Sequence, residues 1–448
     1  MTIEGNRHRN DIRRDTFKQR KKYPLPSGFT WQDAPINIFT DGLNFFTDFE
    51  ASTFKNISNN HYYVSPAGSD TNNGTSENTP FKSLLKAYQT ASNNDTIILL
   101  DGIYRRSEGW GNQRIQKNVN IIGKNKGEVK IVYGDSHIYT KTTGATNVYQ
   151  VNRSNVAKVI DVSLDEIGIE YQKAISIADC DLKEGSWYSD GTILYIHAIG
   201  HESPDNDTVF VLLRGEHFYS NSDFQEVLLY LEGISIYGGN TGNLTVDATN
   251  FPISIFSKNI NFLYGSGYGG EADALNINGA SYAFFQNCIA AYSDKDGFNY
   301  TAYNNAGVKK ISPYFIEVNC KGFGNGLKNS IAGSENTNNG TTAHEGAVGI
   351  RINGEYFGNM GANVADVQMG TQSINLGCKS YDGLAKTGTQ FDSNFCAQQS
   401  GAEMWLDGCI AFGNAWDVYA VSGTTMHLSN SEYDSKQGGG TYDIINVQ

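Results

Sequence analysis

The stretch HYYVSPAGSDTNNGTSENTPFKSLLKAYQTASNNDTIILLDGIY, residues 61–104, decides the fold of this chain. It indicates a strand, a loop rich in glycine and asparagine, a helix and a second strand. Pro80 and the apolar spacing of PFKSLLKAYQTA predict the helix. DTIILLDGIY predicts a strand that ends at Asp-Gly. We therefore expect one short helix between two strands near the start of the main body.

A short repeat follows this stretch, in which Asn or Gly usually precedes an apolar residue or a cysteine. The pairs are Asn118-Val119, Gly233-Ile234, Asn259-Ile260, Asn287-Cys288, Asn319-Cys320, Gly377-Cys378, Gly408-Cys409 and Asn430-Ser431. Asn and Gly tolerate the left-handed backbone that a coil corner needs. The 58 residues from Cys320 to Cys378 match two coils of 29. We expect the residue after each corner to point inward, so that the four cysteines of the set form a ladder of buried, reduced thiols.

Residues 61–104 resemble the N-terminal cap of right-handed parallel β-helices of the pectate-lyase-like superfamily. The shared features are the G-S-D loop, P-F before the helix, and D-T-I before a G-x-Y turn. The resemblance implies an all-β fold, a single-stranded right-handed parallel β-helix. Its capping helix would close the open end of the strand stack, as solenoids require.

The segment between the first coils and the later ones is too long for regular coils. CDLKEGSWYSDGTILYIHAIGHESPDNDTVFVLLRG (180–215) alternates like antiparallel strands, and similar insertions occur in relatives of the superfamily. The sequence therefore predicts four parts. Residues 1–60 form a docking segment, 61–135 the cap and first coils, 136–218 an inserted small β-domain, and 219–448 the main β-helix with the active face.

Composition excludes several classes of protein. The 448 residues carry a formal net charge of −13, which disfavours nucleic acid and anionic membranes as partners. The sequence has no run of 18 apolar residues and no apolar signal-peptide core, so we expect neither a membrane span nor export by the usual signal. Six cysteines without a CxxC pair argue against a zinc ribbon. We predict no disulfide, no cofactor and no metal.

The aromatic segment GFTWQDAPINIFTDGLNFFTDFEASTFKN, residues 28–56, stands outside the predicted solenoid. Two interpretations remain open. It docks on another protein, or it packs on its own chain.

Acidic and aromatic side chains cluster in the middle coils. Successive coils stack about 4.8 Å apart, so acids on adjacent or next-adjacent coils lie roughly 5–10 Å apart, the range that glycoside hydrolysis uses. We predict Glu345 as the acid with Asp296 or Asp294 as the base. The predicted substrate-binding residues are His344, Asp366, Arg351, Asp273, Glu271, Tyr300 and Tyr356. Asp294 and Asp296, as a D-x-D pair, are alternatively a cation site.

Residues 230–430 resemble β-helical tailspike proteins of bacteriophages and prophages. The resemblance rests on DKDGFNY (294–300), HEG (344–346) and RINGEY (351–356). Glu345 stands where such proteins usually have Asp, and Thr301 where a histidine is common, which puts any role borrowed for Thr301 in doubt. The resemblance implies a homotrimeric spike on the phage tail. Its N-terminal segment would contact tail or baseplate adaptor proteins, and its solenoid would cut a host surface polysaccharide.

Three other functions stay open on the residues alone. A polysaccharide lyase needs a cation to neutralise a uronate, and Lys295 and Arg351 are the only candidates near the acids. A non-catalytic adhesin would bind glycan with the same face. A structural component of the virion would need neither glycan cleavage nor glycan binding.

Overall fold

The computed structural model describes residues 20–106, 114–215, 218–220, 224–248, 251–267, 272–302, 311–326, 338–385 and 387–445. Over these residues the chain winds through three long parallel sheets, which we name sheets I, II and III in the order the chain visits them in each coil. This is the predicted parallel β-helix.

In the described part of the chain, sheet I has twelve strands. They are His61–Val64, Asp95–Leu99, Val119–Gly123, Val227–Glu232, Ile253–Lys258, Tyr282–Gln286, Tyr314–Val318, Val348–Ile352, Gln372–Leu376, Glu403–Asp407, Thr425–Ser429 and Thr441–Ile444.

Sheets II and III have nine and ten strands in the described residues. Those of sheet II are Gly102–Arg105, Val129–Val132, Ile234–Tyr237, Asn261–Leu263, Ile289–Ala291, Lys321–Phe323, Glu355–Phe357, Lys379–Tyr381 and Ile410–Phe412. Those of sheet III are Arg114–Ile115, Phe218–Ser220, Gly242–Asp247, Asp273–Asn278, Phe298–Thr301, Thr341–His344, Val364–Val367, Ser393–Gln398, Trp416–Ala420 and Lys436–Gln437.

The corner between sheets I and II is the predicted Asn/Gly position. Asn259, Asn287 and Asn319 have φ of 53°, 53° and 52°, in the left-handed region that asparagine tolerates. Asn319 Nδ2 donates to Asn287 Oδ1 at 3.2 Å, and Asn287 Nδ2 donates to Asn259 Oδ1 at 3.3 Å. Asn353, with φ 52°, supplies the extra corner within the 58-residue gap. Asn118-Val119 was wrongly assigned, because Val119 begins a strand of sheet I.

The capping helix α1, Leu84–Thr90, begins later than the sequence suggested. Ser83 is its N-cap and accepts from the Lys86 N–H. Asp70 of the G-S-D loop accepts from the Lys82 and Ser83 N–H groups at 2.9 and 2.8 Å, which fixes the start of the helix. Leu84 and neighbouring apolar residues of α1 join the main core, so the helix closes the end of the solenoid.

The four corner cysteines are buried and unpaired, and all six cysteines in the chain are free thiols. Cys288 and Cys320 follow each other in adjacent coils, as do Cys378 and Cys409. The coil between the two pairs has Gly354 at this position. A Cβ there would lie 2.4 Å from the Tyr356 hydroxyl, so the tyrosine occupies the space that a cysteine fills elsewhere. The predicted ladder is present but interrupted.

Residues 20–56, which we call the N-terminal arm, pack on the outer face of sheet I. Their secondary structure is Lys21–Lys22, Ile38–Thr40, Phe45–Thr47 and a short 3₁₀ helix, Ala51–Phe54. Trp31 lies 4.6 Å from the Tyr314 ring, and Phe54 stacks on Phe256 at 4.7 Å. Of the two interpretations of this aromatic segment, packing on its own chain is the one observed. The residues before the arm lie outside the described part.

An inserted domain interrupts the solenoid between sheets II and III. Its strands are Thr140–Lys141, Tyr149–Asn152, Val156–Asp161, Ile169–Glu170, Gln172–Lys173, Ser186–Ser189, Ile193–His197 and Val209–Leu213, with the helix α2, Ile177–Leu182. The domain has its own core around Trp187. It packs through Ile160, Phe210 and Leu212 on Tyr237 and Tyr264 of sheet II.

Candidate functional site

The outer faces of the three sheets differ in what covers them. The N-terminal arm covers sheet I, and the inserted domain covers the first coils of sheet II. On sheet III the outward residues of the four middle strands, from Asp273–Asn278 to Val364–Val367, are largely polar. They are Asn276, Asn278, Asn299, Thr301, Thr342, His344, Ala365 and Val367. This polar part of sheet III is the candidate site.

Two carboxyl groups stand next to each other where the chain enters sheet III. Asp273 begins one strand, and Asp296 precedes the next strand at the matching register position. The Asp296 N–H donates to Asp273 Oδ1 at 3.0 Å. Strand spacing places their Cα atoms about 4.8 Å apart. Asp273 is 4% exposed and Asp296 8% exposed, so two acids share one small, poorly hydrated site.

The environment separates the protonation states of these two acids. Burial, and then the charge of Asp273, raise the pKa of Asp296 to about 7, while hydrogen bonds from Asn339 and Thr342 oppose the shift. Two like charges this close cannot both ionise at low cost. Asp273 accepts from the Asp296 N–H through one oxygen and from Asn299 Nδ2 at 3.0 Å through the other. Because its pKa is raised, Asp296 is the member of the pair assigned the proton up to about pH 7, and both oxygens of Asp273 are occupied as acceptors.

Three polar residues that support this pair were not singled out in the sequence. The Asn339 N–H donates to Asp296 Oδ1 at 2.6 Å, and Asn339 Nδ2 donates to Thr342 Oγ1 at 2.9 Å. Asn299 holds Asp273. Asn299 and Thr342 could have been found from the alternation of side chains in FNY and TTAH. This alternation places both residues on the outer face of sheet III, at paired positions in successive coils.

Glu345 and His344 lie at the opposite edge of the same sheet. Glu345 sits at a corner with φ 55° and accepts from the Thr301 hydroxyl and, at 3.2 Å, from the Ala302 N–H. Thr301 is five residues after Asp296, which corresponds to roughly 16 Å along a strand. The structure therefore does not bring Glu345 and Asp296 together as an acid–base pair. Burial lowers the pKa of His344, while the charge of Glu345 raises it.

Asp294 belongs to the junction with the inserted domain. It forms an ion pair with Lys158 at 3.1 Å and accepts from Ser266 Oγ at 2.7 Å. Lys158 also donates to the Tyr292 carbonyl at 2.8 Å. Both charges are buried, so the expectation that Asp294 is a catalytic base gives way to a role in holding the two domains together.

Four predicted substrate-binding residues lie inside the solenoid instead. Arg351 is 0% exposed and lies 3.4 Å from Glu317 and 3.3 Å from Asp366. Tyr300 and Tyr356 donate to the same Glu317 carboxylate at 3.2 and 2.7 Å. These four residues do come together, around an acid that the sequence analysis did not single out, but they form a closed core network. The prediction that they contact substrate is wrong.

For Arg351, the error comes from the arm. Ile350 and Ile352 face outward beneath the N-terminal arm, so alternation turns Arg351 inward. In a strand with two buried faces, hydrophobic alternation does not identify the inner face. The remaining predicted residue, Glu271, lies outside the described residues.

Other features lie apart from the acid pair. A cleft of about 990 Å³ between the arm and the last coils is lined by Tyr23, Trp405 and His427, among others, and by none of the predicted site residues. The described residues contain no group of three or more His, Cys, Asp or Glu side chains suited to a metal ion. No helix among them is long and apolar enough to cross a membrane.

Known proteins share parts of this chain or its fold. Residues 66–202 match a family described as "Protein of unknown function (DUF1565)", and no curated protein matches the sequence. The solved structure of XylC with xylose is 13% identical, with a TM-score of 0.50, over 83% of this chain and 70% of that chain. Pectate lyase Pel9A is 14% identical with a TM-score of 0.41, over 88% and 76% of the two chains. A glycoside hydrolase is 9% identical with a TM-score of 0.42, over 86% and 96%. The likeness to XylC shows a shared fold, the parallel β-helix described above, and a fold does not determine activity.

Proposed function

We propose that this protein is a glycoside hydrolase that cuts a polysaccharide, with Asp296 as the general acid and Asp273 as its ionised partner. The observation that carries the proposal is the pairing of these two carboxyl groups, in register, at the outer edge of sheet III. A long rigid sheet suits an extended polymer. XylC, which is similar in fold, was solved with xylose, and a sugar ligand here accords with that.

The chemistry follows from the different protonation states of the two acids. Protonated Asp296 donates its proton to the glycosidic oxygen as the bond from that oxygen to the anomeric carbon breaks. Ionised Asp273 attacks or stabilises the anomeric carbon, and a water molecule that gives a proton back to Asp296 completes the hydrolysis. Retaining and inverting enzymes differ in the separation of their two carboxyl groups. The anomeric configuration of the first product, followed by NMR, tells which of the two applies here.

The test is release of new reducing ends from a panel of bacterial surface polysaccharides. Wild type is compared with Asp296→Asn, Asp273→Asn and Glu345→Gln. We expect both aspartate variants to lose cleavage and Glu345→Gln to keep it, because Glu345 lies at the far edge of the sheet. Loss of cleavage in Glu345→Gln alone would overturn the assignment.

Two other readouts separate the alternative functions. An unsaturated product absorbing in the ultraviolet would identify a lyase. A glycan that is bound but never cut by wild type would leave an adhesin.

We further propose that the hydrolase works as a receptor-binding spike on a phage tail, as the sequence resemblance suggests. In this setting the substrate is a host surface polysaccharide, the protein is a homotrimer, and the N-terminal segment contacts tail or baseplate adaptors. Since residues 20–56 pack on sheet I, adaptor contact through the arm would use its outer side. Light scattering on the purified protein tests the trimer, and a monomer at working concentration would contradict it.

A further inference from the structure

Within the described part of the chain, two side-chain amide oxygens at the acid pair have no hydrogen-bond partner. Asn299 Oδ1 and Asn339 Oδ1 are buried atoms without a partner among the described residues. Asn339 is only 4% exposed. A buried acceptor left unpaired in this way is uncommon in folded proteins and indicates a missing donor.

The orientation of both amides is fixed by the carboxylate that each one holds. Asn299 Nδ2 donates to Asp273 Oδ2 at 3.0 Å, and Asn339 Nδ2 donates to Asp296 Oδ1 at 3.3 Å. The Asp273 carboxylate only accepts hydrogen bonds, so the Asn299 NH₂ group faces it and the amide oxygen faces away. Asp296 Oδ1 already accepts from the Asn339 N–H, so the proton of this acid lies on its other oxygen and the Asn339 NH₂ group faces Oδ1. Each free oxygen therefore belongs to an amide group whose NH₂ contacts one of the two acids.

Positive charge is scarce on this part of sheet III. None of the outward residues of its four middle strands is Lys or Arg. Arg351 is inside the solenoid, between Glu317 and Asp366. Among the described residues, Lys295 directly precedes Asp296, and its charge lowers the pKa of that acid less than the hydrogen bonds from Asn339 and Thr342 do. A uronate carboxylate would therefore meet carboxylates and amide oxygens here.

We propose that this site accepts a sugar residue that brings N–H or O–H donors and no negative charge, with a hexosamine as its preferred occupant. This inference rests on the proposed function for the location of the site. The ammonium group of a hexosamine supplies donors to Asn299 and Asn339 and offsets the charge of Asp273. A neutral hexose offers hydroxyl donors alone, and a uronic acid adds an unfavourable charge.

Calorimetric binding of four tetrasaccharides to the full chain tests the proposal. The probes are tetramers of glucosamine, N-acetylglucosamine, glucose and galacturonate. We expect the glucosamine tetramer to bind about tenfold more tightly than the glucose tetramer, as expected for a charge-assisted hydrogen bond, and to weaken at high salt. The galacturonate tetramer is expected not to bind. Equal or tighter binding of galacturonate, or no binding of any probe, would overturn the proposal.

One variant and its control test whether the amide oxygens cause the expected preference for glucosamine over glucose. Asn299→Ala removes one free acceptor and should lower glucosamine affinity about tenfold. Asn261→Ala is the matched control, because this asparagine faces outward on sheet II, where it donates to Ser235 at 3.0 Å. An Asn299→Ala variant that binds glucosamine as wild type does would contradict the role of this acceptor.

Failure of this proposal is distinguishable from failure of the hydrolase proposal. Cleavage of a uronate polymer, lost in Asp296→Asn, would support the hydrolase and overturn the substrate preference. Selective glucosamine binding without cleavage of any polymer would support the preference and overturn the hydrolase.

Discussion

Replacing Asp296 by Asn should stabilise the protein at alkaline pH while removing its activity. Burial and Asp273 raise the pKa of Asp296 from 3.8 to about 7. Because the folded-state pKa is the higher one, the stability linked to this proton is complete below about pH 4 and is lost as pH rises through about 7. Asn carries no charge and keeps an oxygen that accepts from the Asn339 N–H, so the variant avoids that loss.

The size of the stability difference follows from the shift in the pKa of Asp296. About three pKa units at about 1.4 kcal/mol each give about 4 kcal/mol at pH 8. An unfolding entropy of about 2.1 cal/mol/K per residue converts this to about 4 °C in Tm for a chain of this length. The assay is the melting temperature of wild type and Asp296→Asn from pH 4 to pH 8. We expect the two curves to meet near pH 4 and to separate by about 4 °C at pH 8.

Asp382→Asn is the matched control, since Asp382 occupies a turn with φ 48° that asparagine also tolerates. Its melting temperature over the same pH range gives the effect of an Asp-to-Asn change away from the acid pair. Parallel curves for wild type and Asp296→Asn would refute a raised pKa at this site, and with it the assignment of the general acid.

Four further predictions concern the pH profile, the core, the arm and the thiols. The value of kcat/KM should fall about tenfold per pH unit above about 7, as Asp296 loses its proton. Arg351→Met leaves Glu317 and Asp366 buried without their cation, and should lower the stability measured by denaturant unfolding by about 3–5 kcal/mol. Trp31→Ala should cost about 3–5 kcal/mol in the same measurement and expose the arm to limited proteolysis. None of the six cysteines should react with a thiol reagent before unfolding, and all should react afterwards.

Surface variants serve as controls for the core and arm predictions. Lys379→Met removes an exposed cation of sheet II, and Phe46→Ala removes an aromatic ring of the arm outside the aromatic cluster of Trp31. If these controls lost as much stability as Arg351→Met and Trp31→Ala, burial of Arg351 and Trp31 would not explain the effect of replacing them. A native protein with a reactive thiol would contradict the closed core, and activity that is flat from pH 6 to pH 9 would contradict the acid.

The fold was predictable because its corners carry a local signature. An asparagine or glycine is needed wherever the chain turns with positive φ between sheets I and II, and Asn259, Asn287 and Asn319 show that need in the sequence. The cap was predictable for a similar reason, since Asp70 and Ser83 define the start of a helix. These are short-range requirements that a single sequence displays.

The site was less predictable because it depends on register and on which face is covered. The segments linking sheets II and III differ in length from coil to coil, so counting from the corners did not place Asp273 beside Asp296. Alternation did not show that Arg351 points inward, because the arm makes the outer face of its strand apolar as well. Both facts come from parts of the chain far away in sequence.

The arm also connects early and late coils of the solenoid. Its contacts extend from Asn120, bonded to Asn56, to Asp407, bonded to Tyr23 and 384 residues away from it. A chain cut before the last coils would lack Asp407 and also Trp405, whose ring packs on Phe29. Trp31 would keep its contact with Tyr314 in such a chain. Loss of the last coils would therefore uncover the start of the arm and leave its middle in place.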